Sequence, residues 1–239
     1  AATDNVLVGT YAGDAITGGI RNVAVGTSAL GAEDAHGYNT AIGHGTLQVQ
    51  NAGANAYNTA VGYEAGNQVS TAVRNTFIGG LSGDATTTGG DNVALGFNAL
   101  TSNTIGNSNI AIGKDAMITN VAADRNVAVG LGALQNMTSA STSDTYNTAI
   151  GYAAGTAITA GVENTLIGGN AGAAITSGHY NVAVGYGTLA SEDGHGKNVA
   201  IGRSALYAQN AGADAYNTAV GFYAGVNVST GVRNVIMGG

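Results

Sequence analysis

Two short stretches, Glu33-Asp34-Ala35-His36 and Glu192-Asp193-Gly194-His195, each bring two carboxylates and an imidazole together. Carboxylate oxygen and imidazole nitrogen can jointly hold a divalent metal. The spacing follows none of the usual structural zinc patterns. Duplication of a longer block accounts for the second copy, and both stretches read as spacers facing solvent. A metal site is therefore not expected, Glu33, Asp34, His36, Glu192, Asp193 and His195 being the only candidates for one, and no cofactor is expected. His44 and His179 stand alone and read as surface residues.

Other chemistry lacks its residues. Acid–base work needs paired carboxylates in a cleft, whereas Asp14, Asp84, Asp91 and Asp115 are scattered singly and read as solubilising loop residues. G-x-S-x-G, H-E-x-x-H and the G-G-x-G-x-D calcium repeat do not occur, and the many glycines do not follow the strand–helix order of a nucleotide loop. An enzyme is not expected. The aromatic residues carry more information. Tyr63, Phe97, Tyr152, Tyr186 and Phe222 share one register, and Tyr38, Tyr57, Tyr146, Tyr180 and Tyr216 share another. Exposed rings in rows can contact a sugar or another surface; the preferred reading is that they staple one repeat to the next.

Those registers come from an internal repeat. An N-x-A-[VI]-G pattern starts at Asn5, Asn22, Asn39, Asn58, Asn75, Asn92, Asn109, Asn126, Asn147, Asn164, Asn181, Asn198, Asn217 and Asn234, in steps of 17 residues with two of 19 and one of 21. A period held from end to end means one supersecondary unit stacked on itself. With Asn as position 0, position 1 is Val, Thr or Ile, position 2 mostly Ala, position 3 Val, Ile, Leu or Met, and position 4 always Gly. This reads as a short strand closed by a turn. Positions 1 and 3 point one way and position 2 the other. The expectation is that positions 1, 3, 8 and 12 are buried, that positions 7 and 8 form a second short strand, and that the Ala stripe at position 2 faces outward. The invariant Gly implies positive φ or a backbone approach that excludes Cβ, and the stacked Asn amides suggest an internal ladder.

The chain of 239 residues thus reads as one continuous stack over 1–239. Position 8 alternates between Gly and Leu or Met, and bulky residues replace Ala at position 2 at Leu7, Phe77, Leu166 and Ile236. Together they divide the stack into blocks 5–74, 75–163 and 164–233, with 234–239 opening another. Longer spacers fall near Gln50-Asn55, Ser139-Thr145 and Gln209-Asp214. Neither end shows a polar capping repeat, which suggests an excerpt of a longer fibre or a unit stacking end to end.

Composition narrows the partners. Net charge is -7 and only 7 residues are Lys or Arg, too few and too dispersed to track phosphates, so nucleic acid is not expected. No run of about 18 apolar residues exists to insert in a membrane. Cysteine and proline are absent, so redox compartment is not readable from thiols.

N-T-A-I-G and N-V-A-V-G followed by x-x-A-L or Y-x-A-G resemble the head repeats of YadA-like trimeric autotransporter adhesins. They resemble more closely the repeats of phage and other viral tail fibres, as in Asn147 to Gly155 and Asn75 to Gly80. The resemblance covers essentially the whole chain, although the 17-residue step is longer than the roughly fourteen usual in the adhesins. It implies a left-handed parallel β-roll of about 14 coils, three chains side by side, without enzymatic activity. A homotrimer would also cover the expected Ala stripe, which is too large a patch for a monomer to expose. The combined expectation is an all-β parallel β-solenoid serving as shaft or head of an extracellular fibre, on a virion or cell surface, attaching to a host receptor or glycan. The alternatives are a filament subunit stacking end to end and a single-chain module binding sugar or ice. For ice, the irregular Thr/Val mixture at position 1 breaks the Thr array.

Overall fold

The computed structural model describes residues 2–138 and 143–239. Residues 139–142, within the spacer expected at Ser139-Thr145, and Ala1 lie outside the described residues. The chain forms two compact units, Ala1–Ala122 and Ala123–Gly239. Each is an all-β parallel solenoid with a 17-residue repeat, and no helix occurs among the described residues.

In the first unit the strands are β1 (Val6–Val8), β2 (Val23–Val25), β3 (Thr40–Ile42), β4 (Thr59–Val61), β5 (Thr76–Ile78), β6 (Val93–Leu95) and β7 (Ile110–Ile112). They pair in parallel and in chain order, with Val6 opposite Val23, Val23 opposite Thr40 and Thr40 opposite Thr59. The second unit has β8 (Ala123–Asp124), β9 (Val127–Val129), β10 (Ser143–Asp144), β11 (Thr148–Ile150), β12 (Thr165–Ile167), β13 (Val182–Val184), β14 (Val199–Ile201), β15 (Thr218–Val220) and β16 (Val235–Met237). Strand β9 pairs with β11 across the 21-residue step, and the two-residue strands β8 and β10 pair with each other. Thus a longer spacer changes the loop and leaves the register of the main ladder intact.

Each coil contributes one strand to the main ladder, and among the described residues only the coils opened by Asn109 and Asn126 carry a second, β8 and β10. Positions 7 and 8, expected as a second, lie in a turn: Leu30, Leu47, Leu100 and Leu134 at position 8 have φ between 47 and 57°. That left-handed geometry ends a strand and costs a non-glycine residue about 1–2 kcal/mol. Full burial of these leucines offsets it. Outside the strands the coils still stack by main-chain hydrogen bonds, for example Ser28 N–H to the Thr10 carbonyl at 2.9 Å and Leu30 N–H to the Thr46 carbonyl at 3.0 Å.

The expected facing of the strand is reversed. Ala24, Ala41, Ala60, Ala94, Ala111, Ala128, Ala149, Ala183, Ala200 and Ala219 at position 2 are fully buried. Positions 1 and 3 are part-exposed or exposed. The interior is narrow, and leucine at position 8 together with the Asn row fills it. Opposite them the strand has room for a methyl group. The other interior column is position 11, with Glu33, Gln50, Val69, Thr86, Ile158 and Ile175 fully buried. Position 12, expected inside, is instead part-exposed or exposed at Thr17, Ser70 and Thr87.

The Gly/Leu alternation at position 8 has a packing cause. A Cβ on Gly66 would lie 2.9 Å from Phe77 Cδ2, and one on Gly83 would lie 2.6–2.7 Å from three atoms of the same ring. Leu166 likewise fills the space that Gly155 and Gly172 leave. Bulk on the strand is exchanged for bulk on the turn, which keeps the interior close-packed.

Candidate functional site

The Asn row is built into the backbone. In the first unit the main-chain N–H of Asn22, Asn39, Asn58, Asn75, Asn92 and Asn109 each donates to Oδ1 of the preceding Asn in the row, at 2.8–3.1 Å. In the second unit Asn147, Asn164, Asn181, Asn198, Asn217 and Asn234 do the same at 2.8–3.2 Å. Many Nδ2 groups turn back within their own coil, as Asn75 donates to the Gly89 carbonyl at 3.0 Å and Asn147 to Gly161 at 2.7 Å. Others reach the preceding coil, as Asn39 does to Glu33 and Asn198 to Asn181 Oδ1, both at 3.4 Å. The amides therefore join neighbouring coils, and many also close their own. Its role is structural, because the groups are buried and already hydrogen-bonded.

The duplicated Glu-Asp-x-His stretches face solvent only in part: Asp193 is exposed and Asp34, His36 and His195 are part-exposed, whereas the glutamates are not. Glu33 and Glu192 occupy position 11, pointing into the solenoid, and their side chains are fully buried. The chain turns directly after them. Glu33 Oε1 accepts the His36 N–H at 3.0 Å, and Glu192 Oε1 accepts the His195 N–H at 3.3 Å. That bond folds each imidazole back over its carboxylate, with Nδ1 3.9 Å from Glu33 Oε1 in one copy and 3.8 Å from Glu192 Oε1 in the other. Burial pushes both Glu carboxyls above their usual range, and the backbone hydrogen bond from the His only partly opposes it. In each copy one ligand atom of Glu, Asp and His lies within 4.8 Å of the other two. The structure thus assembles both sets of candidates.

The aromatic rows lie outside. Tyr63, Phe97, Tyr152, Tyr186 and Phe222 are each more than half exposed. They also touch their neighbours along the stack. His44 stacks on Tyr63 with ring centroids 5.5 Å apart, and the Arg203 guanidinium lies 5.8 Å from both the Tyr186 and Phe222 rings. In the second row Tyr38 stacks on Tyr57 at 4.9 Å, and Lys197 sits 5.1 Å from the Tyr216 ring while bonding Asp214 at 2.6 Å. Stapling and exposure therefore coexist, because a ring stacked on one neighbour keeps its other face in water. His179 is exposed, as its isolation in sequence suggested.

Two of the scattered aspartates have definite partners or environments. Asp91 accepts a bidentate pair from Arg74 at 2.6 and 2.8 Å, which lowers its pKa. Asp84 is half-buried, and desolvation raises its pKa. Neither pattern was legible from spacing. A surface hollow of about 340 Å³ is lined by Tyr11, Asp14, Ser28 and Gln48 among others. Asp14 is the one ionisable group in it besides the Tyr11 phenol, so it assembles no acid–base pair.

The fold and its surface define a β-solenoid repeat protein, built from strands one coil apart and closed by buried amides. No family model, no curated protein and no solved structure matches this chain.

Proposed function

We propose that the chain is a structural repeat segment of an extracellular attachment fibre, in which three copies pack side by side. The supporting observation is the outward face of the strands. Ile42, Ile78, Leu95, Ile150, Ile167 and Ile201 at position 3 are each 37–42% exposed, in register on one sheet face in each unit. Val, Ile and Thr at position 1 continue that face. Contiguous apolar surface of this kind marks an interaction site, and three identical chains around a threefold axis would bury it in a closed ring. This face takes the place of the Ala stripe, which is inside. The resemblance of the N-x-A-[VI]-G repeats to adhesin heads and viral tail fibres supports the same reading.

Light scattering after size exclusion tests it. A native mass near three times 23.3 kDa is expected, and Ile78→Lys with Ile167→Lys should reduce it to one chain. A wild-type mass near 23.3 kDa rejects the side-by-side trimer. Material in the void volume selects end-to-end filaments instead.

Attachment further requires a contact surface. The exposed rings of Tyr63, Phe97, Tyr152, Tyr186 and Phe222 form rows suited to stacking on sugar faces. Binding to a panel of immobilised glycans should be lost in a Tyr152→Ser, Tyr186→Ser variant that keeps the native mass. Unchanged binding in that variant removes the rings from the contact.

A further inference from the structure

Position 11 is an interior column, and it takes a carboxylate only twice, at Glu33 and Glu192. The second copy has the larger deficit. Glu192 Oε2 is buried and accepts no hydrogen bond, and His195 Nδ1 is buried without one. His195 Nδ1 stands 3.8 Å from Glu192 Oε1 and 3.9 Å from Asp193 Oδ1, too far for hydrogen bonds. In the first copy His36 Nδ1 is likewise unpartnered, 3.9 Å from Glu33 Oε1. There Glu33 Oε2 has a long contact, 3.4 Å, from Asn39 Nδ2. Among the described residues, most buried side-chain atoms without a partner fall in these two places or at Gln50 and Gln209, one coil further along the same column.

A fully buried carboxylate is costly unless a proton or a cation neutralises it. The nearby cation in the second unit, Lys197, is held 2.6 Å from Asp214. In the first copy the residue equivalent to Lys197 is Tyr38, so no ammonium is available there at all. Both copies share two carboxylates and an imidazole, with one ligand atom from each residue mutually within 4.8 Å.

We propose that each cluster binds one divalent cation of the zinc class, through carboxylate oxygens of Glu and Asp and Nδ1 of His. One chain would then take two ions, at Glu33, Asp34 and His36 and at Glu192, Asp193 and His195. The mixed nitrogen and oxygen donors favour such a metal over calcium or magnesium, which take oxygen donors. Tetrahedral ligands about 2.1 Å from zinc are about 3.4 Å apart. The His Nδ1–Glu Oε1 pairs, 3.8–3.9 Å apart, must therefore close by about half an ångström and the remaining pairs by up to about 1.4 Å, and the imidazoles can turn because they are only part-buried. Their exposed edges give the ion its entry, and a fourth position remains for water.

The test is titration of the full chain with zinc chloride at neutral pH, followed by calorimetry and equilibrium dialysis. Saturation at about two ions per chain is expected, with Glu192→Gln retaining one and the Glu33→Gln, Glu192→Gln variant retaining none. Glutamine fits this column, since Gln50 and Gln209 already occupy it one coil on. Calcium and magnesium chlorides should bind at least about tenfold more weakly. A His44→Ala, His179→Ala variant should keep both ions. Absence of saturable zinc binding overturns the proposal. Binding undiminished in the double Gln variant, or lost in the His44, His179 variant, overturns it equally. Should the double Gln variant not fold, His36→Ala with His195→Ala gives the same stoichiometric reading, because those side chains are part-exposed.

Discussion

Gly83 and Phe77 occupy one interior volume: a Cβ on Gly83 would meet the Phe77 ring at 2.6–2.7 Å. Ordinary coils instead combine Ala at position 2 with Leu at position 8, as Ala94 and Leu100 do. Phe77→Ala should therefore lower stability by about 3–5 kcal/mol through a cavity. Gly83→Leu alone should be at least as damaging, because the leucine has nowhere to go. The double variant restores the ordinary combination, and its loss should be well below the sum of the two. Urea melts of the four proteins measure the coupling. Simple additivity would rule out a shared volume.

Gly62 is fixed by both φ and space. Its φ is +138°, and a Cβ there would lie 2.6 Å from the Gly79 carbonyl carbon, which is main chain and cannot rotate away. Gly62→Ala should cost about 3 kcal/mol or more. Gly53, in a 19-residue step, has φ +68° and nothing within 4 Å of a Cβ. Gly53→Ala should cost only about 1–2 kcal/mol. Thermal unfolding of the pair separates a steric from a purely conformational requirement.

Asn75 serves three coils. Its Oδ1 accepts the Asn92 N–H at 2.9 Å, its Nδ2 donates to Gly89, and its own N–H donates to Asn58 Oδ1. Asn75→Ala orphans one buried donor and one buried acceptor, at about 1–3 kcal/mol each. A loss of about 2–6 kcal/mol is expected, with faster amide exchange at Asn92 as the local signature. Unaltered exchange at Asn92 would show that the ladder bond does not protect it.

Asp84 gives a pH dependence of definite sign. Burial, with a smaller contribution from the Glu64 charge, raises its folded pKa above 3.8. The folded state therefore holds its proton to higher pH than the unfolded state. Stability from this group is full below the unfolded pKa and falls as pH rises through the folded one. Asp84→Asn should raise the Tm at pH 7 and flatten the Tm–pH curve above the ordinary aspartate pKa of about 3.9. A lower Tm at pH 7 would mean that the ionised carboxylate is favourably held.

The sequence by itself determined the repeat, the strand after each Asn and the turn at each Gly. These need only local order: period, alternation and an invariant residue without a side chain. The Glu-Asp-x-His clusters were visible as residue types at fixed spacing, and so were the aromatic rows. Facing was not legible, because both sides of N-x-A-V-G are apolar and alternation cannot orient a strand with two apolar faces. The tertiary structure decided it through volume. Leucine at position 8 and the buried amides leave room opposite for a methyl group, so Ala goes in and Val, Ile and Thr go out. The same closure buried Glu33 and Glu192, since their column lies where each coil turns back on itself. Linear spacing records which residues are near in the chain. Only the width of the closed coil fixes which of them lose water.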